Sequence, residues 1–83
     1  MVAAYVRRCQ AALTDAEAAL ELGDHSFLRV YGHRLKGSGG GYGIPWLTEA
    51  GLRVEAAARR GDAAELQTEL AALEVYLGQI EVL

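Results

Sequence analysis

Apolar residues recur at Val2, Tyr5, Cys9, Leu13, Ala16 and Leu20, holding one helical phase from the start of the chain. Gly23 closes that run, and Asp24 is a good N-cap for whatever follows it. Thr14 and Glu17 have the spacing of a capping box, which would permit a break there. The apolar phase does not shift across them, so the pattern predicts one continuous helix over 2–22. A second stripe of Leu28, Tyr31, Leu35, Gly39 and Tyr42 predicts a helix over 24–42, stopped by Gly43. Pro45 suits the first turn of a third helix over 45–60, with Leu47, Ala50, Val54 and Ala57 as its buried set. Gly61 ends it, and Asp62-Ala63-Ala64-Glu65 has the spacing of a capping box that opens a fourth helix over 62–82. Leu66, Leu70, Leu73, Leu77 and Ile80 form that helix's seam. Short connections force neighbours to run antiparallel. The expected fold is all-α, an antiparallel up-down-up-down four-helix bundle occupying residues 1–83 as a single domain.

Composition narrows the class. A single core is only marginally sufficient at 83 residues, but 52% of the chain is hydrophobic, much of it alanine and leucine, which suits a helical bundle. The net charge of −3 supplies no basic field for nucleic acid. Cys9 is the sole cysteine, so neither a disulfide framework nor a thiolate metal cluster is available, and a reducing, intracellular setting fits. The N-terminus lacks the order of a secretory signal, and no apolar run reaches the roughly 18 residues a membrane span needs. A cytoplasmic protein with no membrane partner is expected, and its initiating methionine favours a complete small protein over an excised piece.

One segment resists a purely structural reading. Gly32-His33-Arg34-Leu35-Lys36-Gly37-Ser38-Gly39-Gly40-Gly41-Tyr42-Gly43 places five glycines between positions 37 and 43 of a predicted helix. Each helical glycine costs about 1 kcal/mol relative to alanine. Successive helical residues turn by about 100°, so His33 lies about 160° from Tyr31 and Leu35 and faces solvent. Arg29, Lys36, Gly37 and Gly40 are its helical neighbours, while Gly39 falls on the core stripe. An exposed neutral imidazole is a competent nucleophile near pH 7. If it takes a phosphoryl group, Lys36 one turn away can hold the anionic oxygens. Missing side chains at Gly37 and Gly40 let another protein's active site approach for in-line transfer. A free small molecule would need a concave pocket, which nothing in the sequence promises. Ser38 reads as bonding back to the Arg34 carbonyl, and His25 as surface.

His33-Arg34-Leu35-Lys36-Gly37-Ser38 followed by Gly43 resembles the signature of histidine-containing phosphotransfer (HPt) domains of two-component relays. The similarity runs through Leu52-x-x-Glu55 and Arg59-Arg60-Gly61-Asp62, covering roughly positions 24 to 65. The resemblance implies that His33 is the phosphoacceptor, that Lys36 steadies the phosphoryl oxygens and that Gly37 permits close docking. It puts Glu55 where relatives often carry a polar residue that hydrogen-bonds the imidazole, and where relatives have glutamine a glutamate would bind an imidazolium more strongly. Accepting from Nδ1–H would fix the tautomer that leaves Nε2 free. Glu55 also reads simply as an i+4 partner of Arg59. Arg29, Arg34 and Arg59, with Gly37 and Gly40, are candidate partner contacts, although each arginine also reads as plain solubilising charge. The implied function is a phosphorelay intermediate, a carrier and not an autonomous enzyme. It would accept a phosphoryl group from a receiver-domain aspartate and pass it to another receiver. Its partners would be receiver domains of response regulators and hybrid histidine kinases. It would need no cofactor of its own, the Mg²⁺ being expected on the partner, and a monomer is the default state.

Other readings fit less well. The glycine run does not match Gly-x-Gly-x-x-Gly and lacks a following Gly-Lys-Ser/Thr, so it is not a nucleotide loop. Metal ligation is not expected, because His25 and His33 are eight residues apart and Cys9 lies on the core stripe. The remaining alternative is a small helical adaptor that binds a partner through the glycine-bared face without phosphoryl transfer.

Overall fold

The computed structural model describes the backbone of residues 2–81 and the side chains of 3–80. Four helices make up nearly all of it: α1 (Val2–Leu22), α2 (His25–Gly41), α3 (Pro45–Arg60) and α4 (Ala63–Glu81). No strand occurs among the described residues. A helix of α1's 21 residues is about 32 Å long at 1.5 Å per residue, close to the 33 Å long axis of the molecule. α1 packs on α2 and α4, and α3 packs on α2 and α4. Neither α1 with α3 nor α2 with α4 brings Cα atoms within 8 Å, so the helices form a four-cornered ring around one core.

Local chemistry sets the ends. Asp24 stands outside α2 as its cap, its carboxylate accepting from the Phe27 N–H at 3.0 Å. Asp62 does the same for α4 through the Glu65 N–H at 3.0 Å. Both aspartates therefore precede the helices instead of belonging to them. Gly23, Gly43 and Gly61 all have φ near +70°, the left-handed conformation that lets a chain leave a helix without a Cβ clash. α1 continues unbroken through Thr14, whose hydroxyl donates back to the Gln10 carbonyl at 3.3 Å instead of capping a new helix.

The core takes Tyr5, Cys9, Leu13 and Ala16 from α1, Leu28, Tyr31 and Leu35 from α2, Leu47, Ala50, Val54 and Ala57 from α3, and Leu66, Leu70, Leu73 and Leu77 from α4. Leu20 and Ile80 only pack against its edge. Val2, the first residue of the predicted α1 stripe, has its side chain outside the described residues. Tyr42 departs from the expected stripe, remaining 41% exposed. α2 has ended one residue earlier, which leaves Tyr42 at the C-cap, where it stacks on Tyr5 with ring centroids 4.1 Å apart. Arg8 donates to its hydroxyl at 3.0 Å, so this cluster ties the start of α1 to the end of α2.

α2 and α3 make the most intimate contact, and glycine is the reason. A Cβ on Gly32 would sit 2.6 Å from the Glu55 nitrogen, and one on Gly51 would sit 2.7 Å from the Gly32 carbonyl oxygen. One on Gly39 would sit 2.8 Å from the Thr48 nitrogen. Three bare positions thus let two backbones touch, and that approach brings α2's His33 to α3's Glu55.

Candidate functional site

His33 projects from the middle of α2, with its side chain 67% exposed. Glu55 lies across the α2–α3 seam and is buried, because the glycine contact draws its backbone against α2. Its two oxygens divide the work. Oε2 lies 3.3 Å from His33 Nδ1 and also accepts from the Arg59 guanidinium at 3.3 Å. Oε1 accepts from Lys36 Nζ at 3.2 Å. Glu55 Oε2 is thus in reach of both His33 and Arg59, the two neighbours considered for it from the sequence.

Electrostatics follow from that geometry. The Lys36 ammonium, hydrogen-bonded to Glu55, is the main cause holding its carboxyl below the usual carboxylate range. Partial desolvation opposes the effect, while the charges of Lys36, Arg59 and His33 add to it. Glu55 is therefore an anion at neutral pH, and an anion beside Nδ1 favours the tautomer with its proton there. That tautomer leaves the Nε2 lone pair unprotonated.

The ground beside the ring is bare on one side. A Cβ at Gly37 would meet nothing within 4 Å, and one at Gly40 would meet only the Thr48 hydroxyl at 3.8 Å. Gly39, as its helical angle predicts, faces the core. Nothing in the structure requires glycine at 41.

The remaining candidates separate. Arg59 joins the Glu55 cluster, and Arg29 shares a shallow hollow with it. Arg34 lies on the opposite flank, lining a groove of about 610 Å³ between α1 and α2 with Phe27, Val30 and Tyr31. The sequence promised no such concavity. Ser38 does not bond to the Arg34 carbonyl. Its hydroxyl lies 2.8 Å from the Tyr5 hydroxyl and 3.5 Å from the Leu35 carbonyl. Its role is to join α1 to α2.

Sequence reasoning missed Gly32 and Gly51. Their signal was present, since both interrupt helical patterns beside core positions. Among the described residues no group of three or more His, Cys, Asp or Glu side chains is placed to hold a metal ion. No described helix is long and apolar enough to cross a membrane.

The Hpt domain family model matches residues 1–82, essentially the whole chain, and the protein belongs to that family. No curated protein and no solved structure shows a significant match to it. Hpt domains serve phosphotransfer in two-component signalling, as phosphocarrier modules that interact with receiver domains and not as enzymes in the usual sense.

Proposed function

We propose that this chain is a phosphorelay intermediate that carries a phosphoryl group on His33. The observation that carries the reading is the pairing of Glu55 with Nδ1 of an exposed histidine, beside open ground at Gly37. The Nε2 lone pair attacks the phosphorus of a receiver's aspartyl phosphate. The P–Nε2 bond forms as the P–O bond to the aspartate breaks, and that electron pair stays on the aspartate carboxylate. The ring keeps its Nδ1 proton and gains positive charge, which the Glu55 carboxylate stabilises. Lys36 leaves Glu55 Oε1 to take the phosphoryl oxygens. Transfer onward to a second receiver reverses these steps, with Mg²⁺ supplied by the receiver. Gly37 and Gly40 give the partner close approach, and Arg29, Arg34 and Arg59 are its contact residues.

In this reading residues 1–83 form one domain, folded as an up-down-up-down bundle. Support comes from cross-helix pairs whose numbers run in opposite directions. Tyr5 pairs with Ser38, and Gly39 lies against Leu47 while Gly61 lies near His25. Likewise Arg53 meets Glu69 while Trp46 stacks on Tyr76. The partners are receiver domains of response regulators or hybrid kinases, the carrier is a monomer, and the setting is cytoplasmic. The test is transfer of labelled phosphate from a phosphorylated receiver to wild type and to His33→Gln. Label on wild type that disappears in the variant is expected. Equal binding of both proteins with no label on either would favour the adaptor.

A further inference from the structure

The net charge of −3 conceals a separation of charge. α2 and α3 together carry six lysines and arginines against two glutamates, whereas α1 and α4 carry two arginines against seven carboxylates. The basic half is the half that bears His33. Within it the cations are not equivalent. Arg53 is matched by Glu69 of α4 at 2.9 Å, and Arg60 by Asp62 at 3.7 Å. Lys36 and Arg59 share the single Glu55 carboxylate. Arg29 and Arg34 have no carboxylate partner among the described residues, and Arg34 lies on the other flank, in the groove against α1.

Arg29 opens, with His25, Ser26, Ala58 and Arg59, on a hollow of about 360 Å³ between the start of α2 and the end of α3. No carboxylate lines it. Arg29 precedes His33 by about one helical turn, and Arg59 reaches the same Glu55 oxygen that faces His33 Nδ1. Through Arg59 and Glu55 the hollow connects to the Nδ1 side of the ring, whereas the proposed transfer uses Nε2. Two guanidinium groups and a hydroxyl in one hollow suit a planar anion that is not the group being transferred.

Taking His33 as the phosphoacceptor, as above, we propose that this hollow anchors a carboxylate side chain on the receiver domain's docking face. The segregated charge turns the α2–α3 face toward that acidic partner before contact. A carboxylate matches the guanidinium fork, and oppositely charged faces raise the encounter rate and fix the register of docking. The acidic α1 and α4 surfaces disfavour the wrong approach by like-charge repulsion.

The experiment measures transfer from acetyl-phosphate-treated receiver domains to this chain at rising KCl concentration. The wild-type second-order rate constant is expected to fall roughly tenfold as salt screens the faces. Arg29→Glu should lower it roughly tenfold at low salt and flatten the salt dependence, leaving the rate at saturation unchanged. Arg29→Gln, which removes charge without reversing it, should fall between the two. Arg7→Glu, on α1, should change neither quantity. A salt-insensitive rate, or equal slowing by Arg29→Glu and Arg7→Glu, would overturn the proposal. If no receiver phosphorylates the wild type, the carrier reading itself fails, and a hexaglutamate titration followed at the arginine Nε–H resonances still decides the anchor. Shifts concentrated at Arg29 and Arg59 support it, and shifts spread evenly over all arginines sink it.

Discussion

Glu55 is the residue on which the site turns, since one carboxylate serves a histidine, a lysine and an arginine. Glutamine in its place can keep one contact through its amide oxygen but loses the negative charge that, in the proposed transfer, stabilises a positive ring. Glu55→Gln is expected to slow phosphoryl acceptance roughly tenfold, with His33 still exposed and the helices intact by circular dichroism. An unchanged transfer rate would remove Glu55 from the mechanism. Tyr31 offers a prediction of the opposite kind. Its hydroxyl is buried without a partner, and burial is the main reason its acidity is suppressed. Tyr31→Phe should therefore raise stability by about 1 kcal/mol in denaturant unfolding. A loss of similar size would mean that the hydroxyl has a partner after all.

At the level of helices, the glycines do three separate jobs. Gly23, Gly43 and Gly61 turn the chain, Gly32, Gly39 and Gly51 let α2 and α3 touch, and Gly37 and Gly40 leave the site bare. These roles predict opposite signs for one kind of substitution. Gly51→Ala drives a methyl into the backbone of α2 and should cost about 1–3 kcal/mol. Gly37→Ala meets nothing and should stabilise the helix by about 1 kcal/mol while slowing transfer from the receiver. Thermal unfolding and transfer kinetics on both variants check the pair, and destabilisation by Gly37→Ala would refute the distinction. Helical phase alone separated Gly37 and Gly40 from Gly39. It could not single out Gly32 and Gly51, because closeness between two helices depends on how they cross.

Over the whole molecule, the carboxylates set the response to acid. Glu17 on α1 is shifted upward by desolvation and by Glu74 of α4, and Glu65 is shifted upward chiefly through its hydrogen bond with Glu69. An acid raised on folding binds more protons in the native state, so stability grows as pH falls toward its ordinary value of 4.5. Glu55 acts in reverse. Its contribution is fully present above 4.5 and is lost as pH drops through its lowered folded value. The melting temperature should therefore rise as pH falls from neutral toward 4.5 and fall again below it. Glu17→Gln should flatten the upper limb, and Glu55→Gln the lower one. A profile that only rises with pH would contradict the assignment.

The sequence by itself determined the four helices, their caps and the solvent-facing position of His33, because each rests on local periodicity, φ preference or hydrogen bonding within a few residues. It also placed Lys36, Gly37 and Gly40 on His33's face, since one helix fixes those angles. Tyr42 fell outside its expected stripe because a neighbouring helix offered Tyr5 as a stacking partner where α2 ended. Only the tertiary structure decided that Glu55 serves His33, Lys36 and Arg59 together, that Gly32 and Gly51 bring α2 against α3, and that Arg29 and Arg59 share a hollow. Those facts depend on the distance and register between helices, which packing sets and no local pattern encodes.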